Sequence, residues 1–130
     1  MRNLWRMTAL IFCGSTIGAH AQEPVSFARD IAPILKTQCA TCHLTGQEAG
    51  GMALHPRKAY SSLVNVAAQE SALLRVKPGA PAQSYLMLKL DGTHLDAGGQ
   101  GARMPFGMPP LDEATRQKIR DWISAGAIDN

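Results

Sequence analysis

Apolar residues recur along this chain in short helical runs, separated by polar stretches rich in glycine and proline. Phe27, Ile31, Ile34 and Leu35 fall at i, i+4, i+7 and i+8, which is one face of a helix. Ser26 suits the N-cap, so the pattern predicts a helix from Phe27 to about Gln38. Pro33 lies inside it and is expected to kink it or divide it in two. Pro56 suits a first helical turn, and Ala59, Tyr60, Leu63 and Val64 carry helical spacing to about Asn65. Residues 67–77 are less regular, with Leu73, Leu74 and Val76 expected to be buried before the Pro78-Gly79 stop. A short helix from Ser84 to Leu90 follows, with Tyr85, Leu86, Leu88 and Lys89. The last helix is placed at Glu113 to Ala125, with Asp112 as N-cap and Gly126 as its stop. Its apolar stripe is Thr115, Ile119, Trp122 and Ile123, and it is expected to cross the Phe27–Leu35 helix. The class is all-α, with long loops.

Three of those loops carry most of the remaining information. Residues 44–54 contain Gly46, Gly50 and Gly51, which mark either ordinary turns or a close approach to a flat ligand. Residues 91–101 are polar and glycine-rich and are expected at the surface. Arg103-Met104-Pro105-Phe106-Gly107-Met108-Pro109-Pro110 is stiff and non-helical, because proline flanks the methionines.

Residues 1–21 read as a secretory leader. Arg2 and Arg6 form a basic start, Met7 to Ile17 is mostly apolar, and Ala19-His20-Ala21 is a small-x-small cleavage site. The apolar run is too short for a permanent span; retention as an uncleaved anchor is the alternative. Cys13 follows Phe12, not the small residue a lipoprotein site needs, and is expected to leave with the leader, as is His20. Removing residues 1–21 from the 130 leaves 109, a single small domain over residues 22–130. The leader carries two arginines and no acids, so the precursor's net charge of +3 becomes +1. No basic patch with interleaved aromatics occurs, so nucleic acid is not an expected partner.

Of the three cysteines, the leader removes one. The other two stand in Cys39-Ala40-Thr41-Cys42-His43, a C-x-x-C-H. That pattern attaches a c-type haem: two thiols one helical turn apart form thioethers with the vinyl groups, and the adjacent imidazole lies under the iron. A zinc site would want a second pair of ligands, and the chain has no other cysteine beyond Cys13. A thioredoxin-like dithiol would open a helix after a strand, whereas this motif closes a helical segment. Two haem propionates would take the mature charge to about −1. The 5% aromatic content fits a core that includes a porphyrin.

Together these residues resemble a small single-haem c-type cytochrome, and are similar to the planctomycete-type cytochrome c-like domains of exported bacterial proteins. The resemblance rests on residues 27–35 (FARDIAPIL), residues 39–43, Gly50-Gly51-Met52-Ala53-Leu54 and Val76-Lys77-Pro78-Gly79. It continues through Ser84-Tyr85-Leu86, Arg103-Met104-Pro105 and residues 122–127 (WISAGA), and so covers nearly the whole mature chain. It implies a small helical domain wrapped around one covalent haem (heme c), carrying single electrons, with His43 and a methionine as axial ligands. In the family pattern that methionine belongs to an Arg-Met-Pro segment some seven residues before the last helix. Met104 fits, with Leu111 seven residues on. Met108 competes, and His55 and His94 are lesser candidates, expected to be solvent residues. Arg103 is either a partner for a haem propionate or a solvated loop charge. Trp122 lies at the haem edge or simply in the core.

The resemblance implies a periplasmic or otherwise exported electron carrier, not an enzyme, meeting redox donors and acceptors through a small weak patch. A second reading makes the chain a fixed subunit of a larger oxidoreductase or cytochrome assembly, with Met52, Leu54, Phe106 and Met108 as exposed interface. A third, a haem sensor or peroxidase-like enzyme, requires an open sixth position.

Overall fold

The computed structural model describes residues 23–130. The expected leader, with Cys13 and His20, lies outside the described residues. What is described is helical, and pairing between extended segments is limited to isolated bridges. Among the described residues no helix is long and apolar enough to cross a membrane.

The first apolar face forms two consecutive pieces: a π-helical turn, Phe27–Ile31, and α1, Ala32–Gln38. The division falls just ahead of Pro33, whose ring opposes an ordinary i→i−4 ladder at Arg29. The chain widens there, and the Ala32 amide reaches Phe27 instead. Ser26 caps this segment, accepting from the Arg29 amide at 3.3 Å. Asn130 satisfies two further amides at the same end: Ala28 donates to its carbonyl and Phe27 to its side-chain oxygen, each at 2.9 Å.

The second helix, α2, is only Ala59–Leu63. Pro56 belongs to a separate turn, in which the Lys58 and Ala59 amides both donate to His55. Past α2, Asn65 takes a left-handed φ of 59° and the chain turns extended. It then pairs locally: Val64 bridges Val76, Ala67 bridges Leu74, and Leu74 bridges Ser84. Val76 is buried, while Leu73 and Leu74 are half-buried. A 3-10 turn, Pro81–Gln83, leads into α3, Tyr85–Asp91, which stops at Gly92 with φ 79°. The last helix, α4, is Glu113–Ser124; the Asp112 carboxylate accepts from the Thr115 amide at 2.8 Å.

One core ties these pieces together. Phe27, Tyr60 and Trp122 meet with ring centroids 5.2 and 5.3 Å apart around Phe27, so α4 does pack on the first helical segment. Trp122 is 1% exposed and donates from Nε1 to the Ile128 carbonyl. It is a core residue between helices. Ile31, Leu35, Leu63, Met87, Leu90, Ile119 and Ile123 belong to the same cluster. Four expectations of exposure fail here. Leu54 is 2% exposed, because its amide bonds the His43 carbonyl and draws it inward. His94 is 2% exposed rather than solvated, since its Nε2 bonds the Gly101 carbonyl across the loop. Met52, packed against the core, and His55 are half-buried, not exposed.

Candidate functional site

α1 ends at Gln38, and the chain makes one further turn through the C-x-x-C-H. Cys39 and Ala40 both donate to the Leu35 carbonyl, and Cys42 and His43 both donate to the Cys39 carbonyl at 3.1 Å. Residues 39, 42 and 43 therefore share a single closed turn, fixed by the backbone before any side chain acts. The two thiols are free. They differ in environment: Cys42 is exposed, while burial first, and the neighbouring Cys42 second, push the Cys39 thiol up to about 11. Thiols in apolar surroundings resist ionisation and react slowly.

His43 is buried, and its Nδ1 has no hydrogen-bond partner. A buried imidazole nitrogen is normally satisfied. The ring lies under the 44–54 loop. A Cβ built at Gly50 would meet His43 Cε1 at 4.0 Å, an ordinary contact distance, and the flexible Met52 Cε at 3.3 Å, so Gly50 lies against the His43 ring. Gly50 and Gly51 both sit at left-handed φ, 83° and 61°.

The loop is tied down at several points. At its start the Glu48 carboxylate accepts from the Thr45 amide and hydroxyl and from the Gly46 amide. Hydrogen bonds from its own backbone, then from the Thr45 hydroxyl and the two neighbouring amides, hold its carboxyl at about 2. At its far end Ala53 donates to the Ser62 hydroxyl at 2.9 Å. Between them, Arg75 donates to the Gly50 and Gly51 carbonyls at 2.8 and 3.1 Å.

The Met-Pro loop is braced separately. Met104 is half-buried against the core, and its amide donates to the Lys89 carbonyl of α3 at 2.9 Å. Arg103 turns back on its own loop, donating to the Met104 carbonyl at 3.2 Å and to the Met108 carbonyl at 2.8 Å. Met108 is 61% exposed and Phe106 72%. A cleft of about 330 Å³ separates this loop from the last turns of α1; Ile34, Thr37 and Gln38 line one side, Pro105, Met108 and Leu111 the other. The approach to Cys39 and the stretch after Met104, far apart in sequence, thus face one another.

The structure brings Cys39, Cys42 and His43 onto one turn, while Met104 is half-buried on a separate loop. His94 is engaged through Nε2, though its buried Nδ1, like that of His43, has no partner; Met108 is exposed and lines the cleft facing α1. Among the described residues no three His, Cys, Asp or Glu side chains gather as a metal cluster, and the motif follows no strand. Arg75 escaped the sequence reading, because its acceptors are all backbone carbonyls. Comparison with family models, curated proteins and solved structures gave no match.

Proposed function

We propose that this chain is an exported monohaem c-type cytochrome that carries single electrons between redox proteins. The observation that carries the reading is the closed turn of Cys39, Cys42 and His43: two unjoined thiols one turn apart beside a buried imidazole with an unpartnered nitrogen. That donor set fits a covalently held haem better than zinc, which wants four protein ligands, or a dithiol at the head of a helix.

In this reading Cys39 and Cys42 would hold the group as thioethers, and His43 and Met104 would be its iron ligands. Bound haem would supply the one-electron Fe(III)/Fe(II) couple. The chain's part is positional. The 44–54 loop fixes His43, while the Lys89 carbonyl and the Arg103 guanidinium fix the Met104 backbone. A thioether is a soft neutral ligand that favours the reduced iron, so His43/Met104 ligation sets a higher potential than two imidazoles would. Arg103 serves first as a brace; its bonds to two loop carbonyls leave pairing with a propionate as a secondary role.

The test is an oxidised and reduced visible spectrum of the exported protein beside its Met104→Ala and Met108→Ala variants. The expected result is a c-type reduced spectrum with the far-red methionine–iron(III) band, lost in Met104→Ala and kept in Met108→Ala. A band absent from the wild type contradicts methionine ligation.

Phe106 and Met108, both largely exposed, favour a second reading: a fixed electron-transfer subunit of a larger assembly, with this loop as part of its interface. A mature protein running as a monomer in its native extract argues against it.

A further inference from the structure

Arg75 belongs neither to the C-x-x-C-H turn nor to the Met-Pro loop, yet it is only 8% exposed. A buried guanidinium must find acceptors. Arg75 finds three, all main-chain: Ser62 at 2.7 Å, Gly50 at 2.8 Å and Gly51 at 3.1 Å. Its own backbone is pinned on both sides: its amide donates to Val66 at 2.7 Å, and its carbonyl receives the Leu86 amide at 2.9 Å. The main chain that carries the fork is therefore held in place.

Ser62 alone would suffice to steady the end of α2. The other two bonds go to the loop that lies on His43, at the glycine whose added Cβ would stand 4.0 Å from the ring. The Gly50 and Gly51 carbonyls thus point at Arg75, while the Nδ1 of His43, whose ring lies against Gly50, is buried and unpartnered. His43 is otherwise held through its backbone, its carbonyl accepting from Leu54 at 2.7 Å.

We infer that Arg75 is a positioning residue for His43: its guanidinium holds the Gly50 and Gly51 carbonyls off the imidazole and leaves Nδ1 without an acceptor. This rests on the haem reading above. An imidazole that binds metal through Nε2 carries its proton on Nδ1, and an acceptor there makes it a stronger donor that favours the oxidised metal. By turning those carbonyls toward itself Arg75 keeps the imidazole a weaker donor. Its positive charge acts in the same direction, so Arg75 raises the reduction potential.

The test compares the haem-bearing, exported wild type with Arg75→Gln and Arg75→Lys. Two quantities are read in each: the NMR shift of the His43 Nδ1 proton in the reduced, diamagnetic protein, and the reduction potential. In Arg75→Gln the freed carbonyl moves that proton downfield and lowers the potential. Arg75→Lys keeps the charge but not the fork, so the proton moves likewise and the potential falls less. If Arg75→Gln does not accumulate, Arg75→Lys decides by the proton shift. Haem-bearing variants with the wild-type proton shift and potential, whatever their melting temperatures, overturn the role of Arg75 and leave the haem reading standing. A wild type without covalent haem overturns the haem reading itself.

Discussion

Single residues near the motif differ sharply despite their closeness in sequence. Cys39 is partly buried with its thiol pushed up to about 11, whereas Cys42 is exposed. Since the thiolate is the nucleophile, iodoacetamide at neutral pH should alkylate Cys42 well before Cys39 in haem-free protein. Peptide mapping of a time course checks this; equal rates would contradict the burial of Cys39. Glu48 gives a pH prediction. Its carboxyl is held at about 2 against an ordinary 4.5, so its contribution is fully present above about 4.5 and is lost as pH falls through about 2. The Thr45 and Gly46 amides should therefore exchange faster as pH drops across that window, beyond the intrinsic pH dependence, and Glu48→Gln should remove the excess. The sequence made the C-x-x-C-H turn legible because its spacing is itself the signal. It did not make His94 or Arg75 legible. Their partners are the carbonyls of Gly101, Gly50, Gly51 and Ser62, and a backbone acceptor carries no mark in the sequence.

At the scale of elements, capping and periodicity located the helices well. Ser26 and Asp112 start helical segments, and Gly126 closes α4, with its amide donating to Ile123 and that of Ala127 to Trp122. The misjudged stretch was 56–65. There the proline starts its own turn, and pairing of Val64 with Val76 competes with continuing the helix. Leu54 misled for a related reason: it sits in a glycine-rich polar loop, and only the hydrogen bond to His43 shows that it turns inward. The join between α3 and α4 depends on charge. Asp91 at the end of α3 accepts from Arg116 at 2.9 Å and from Arg120 at 3.1 Å, while Arg116 also meets Glu113. Asp91 and Arg116 are each 22% exposed, so the pair is partly shielded from water. Asp91→Ala should cost about 1–2 kcal/mol, measured by urea unfolding, with part of the loss recovered when Arg116 is also replaced by Met. No loss would mean that apolar packing alone joins the two helices.

For the molecule as a whole, the Phe27–Tyr60–Trp122 cluster brings both ends of the described chain into one core. Trp122→Ala removes a side chain that is 1% exposed together with its bond to Ile128, and should cost about 3–5 kcal/mol. Small domains have only about 5–15 kcal/mol in hand, so the denaturant midpoint should drop sharply. The all-α class was legible because every strong apolar pattern had helical spacing. The route of the long loops was not, since it follows from the bonds that Arg75, Lys89 and Arg103 make to main-chain groups. The central claim is that Cys39 and Cys42 anchor a haem, and intact mass of the exported protein tests it most directly, before and after acid–acetone extraction and alkylation. The account predicts a gain of one haem per mature chain that survives extraction, with neither thiol open to alkylation. A chain without that gain and with both thiols alkylatable, from cells where another c-type protein acquires its haem, would contradict it.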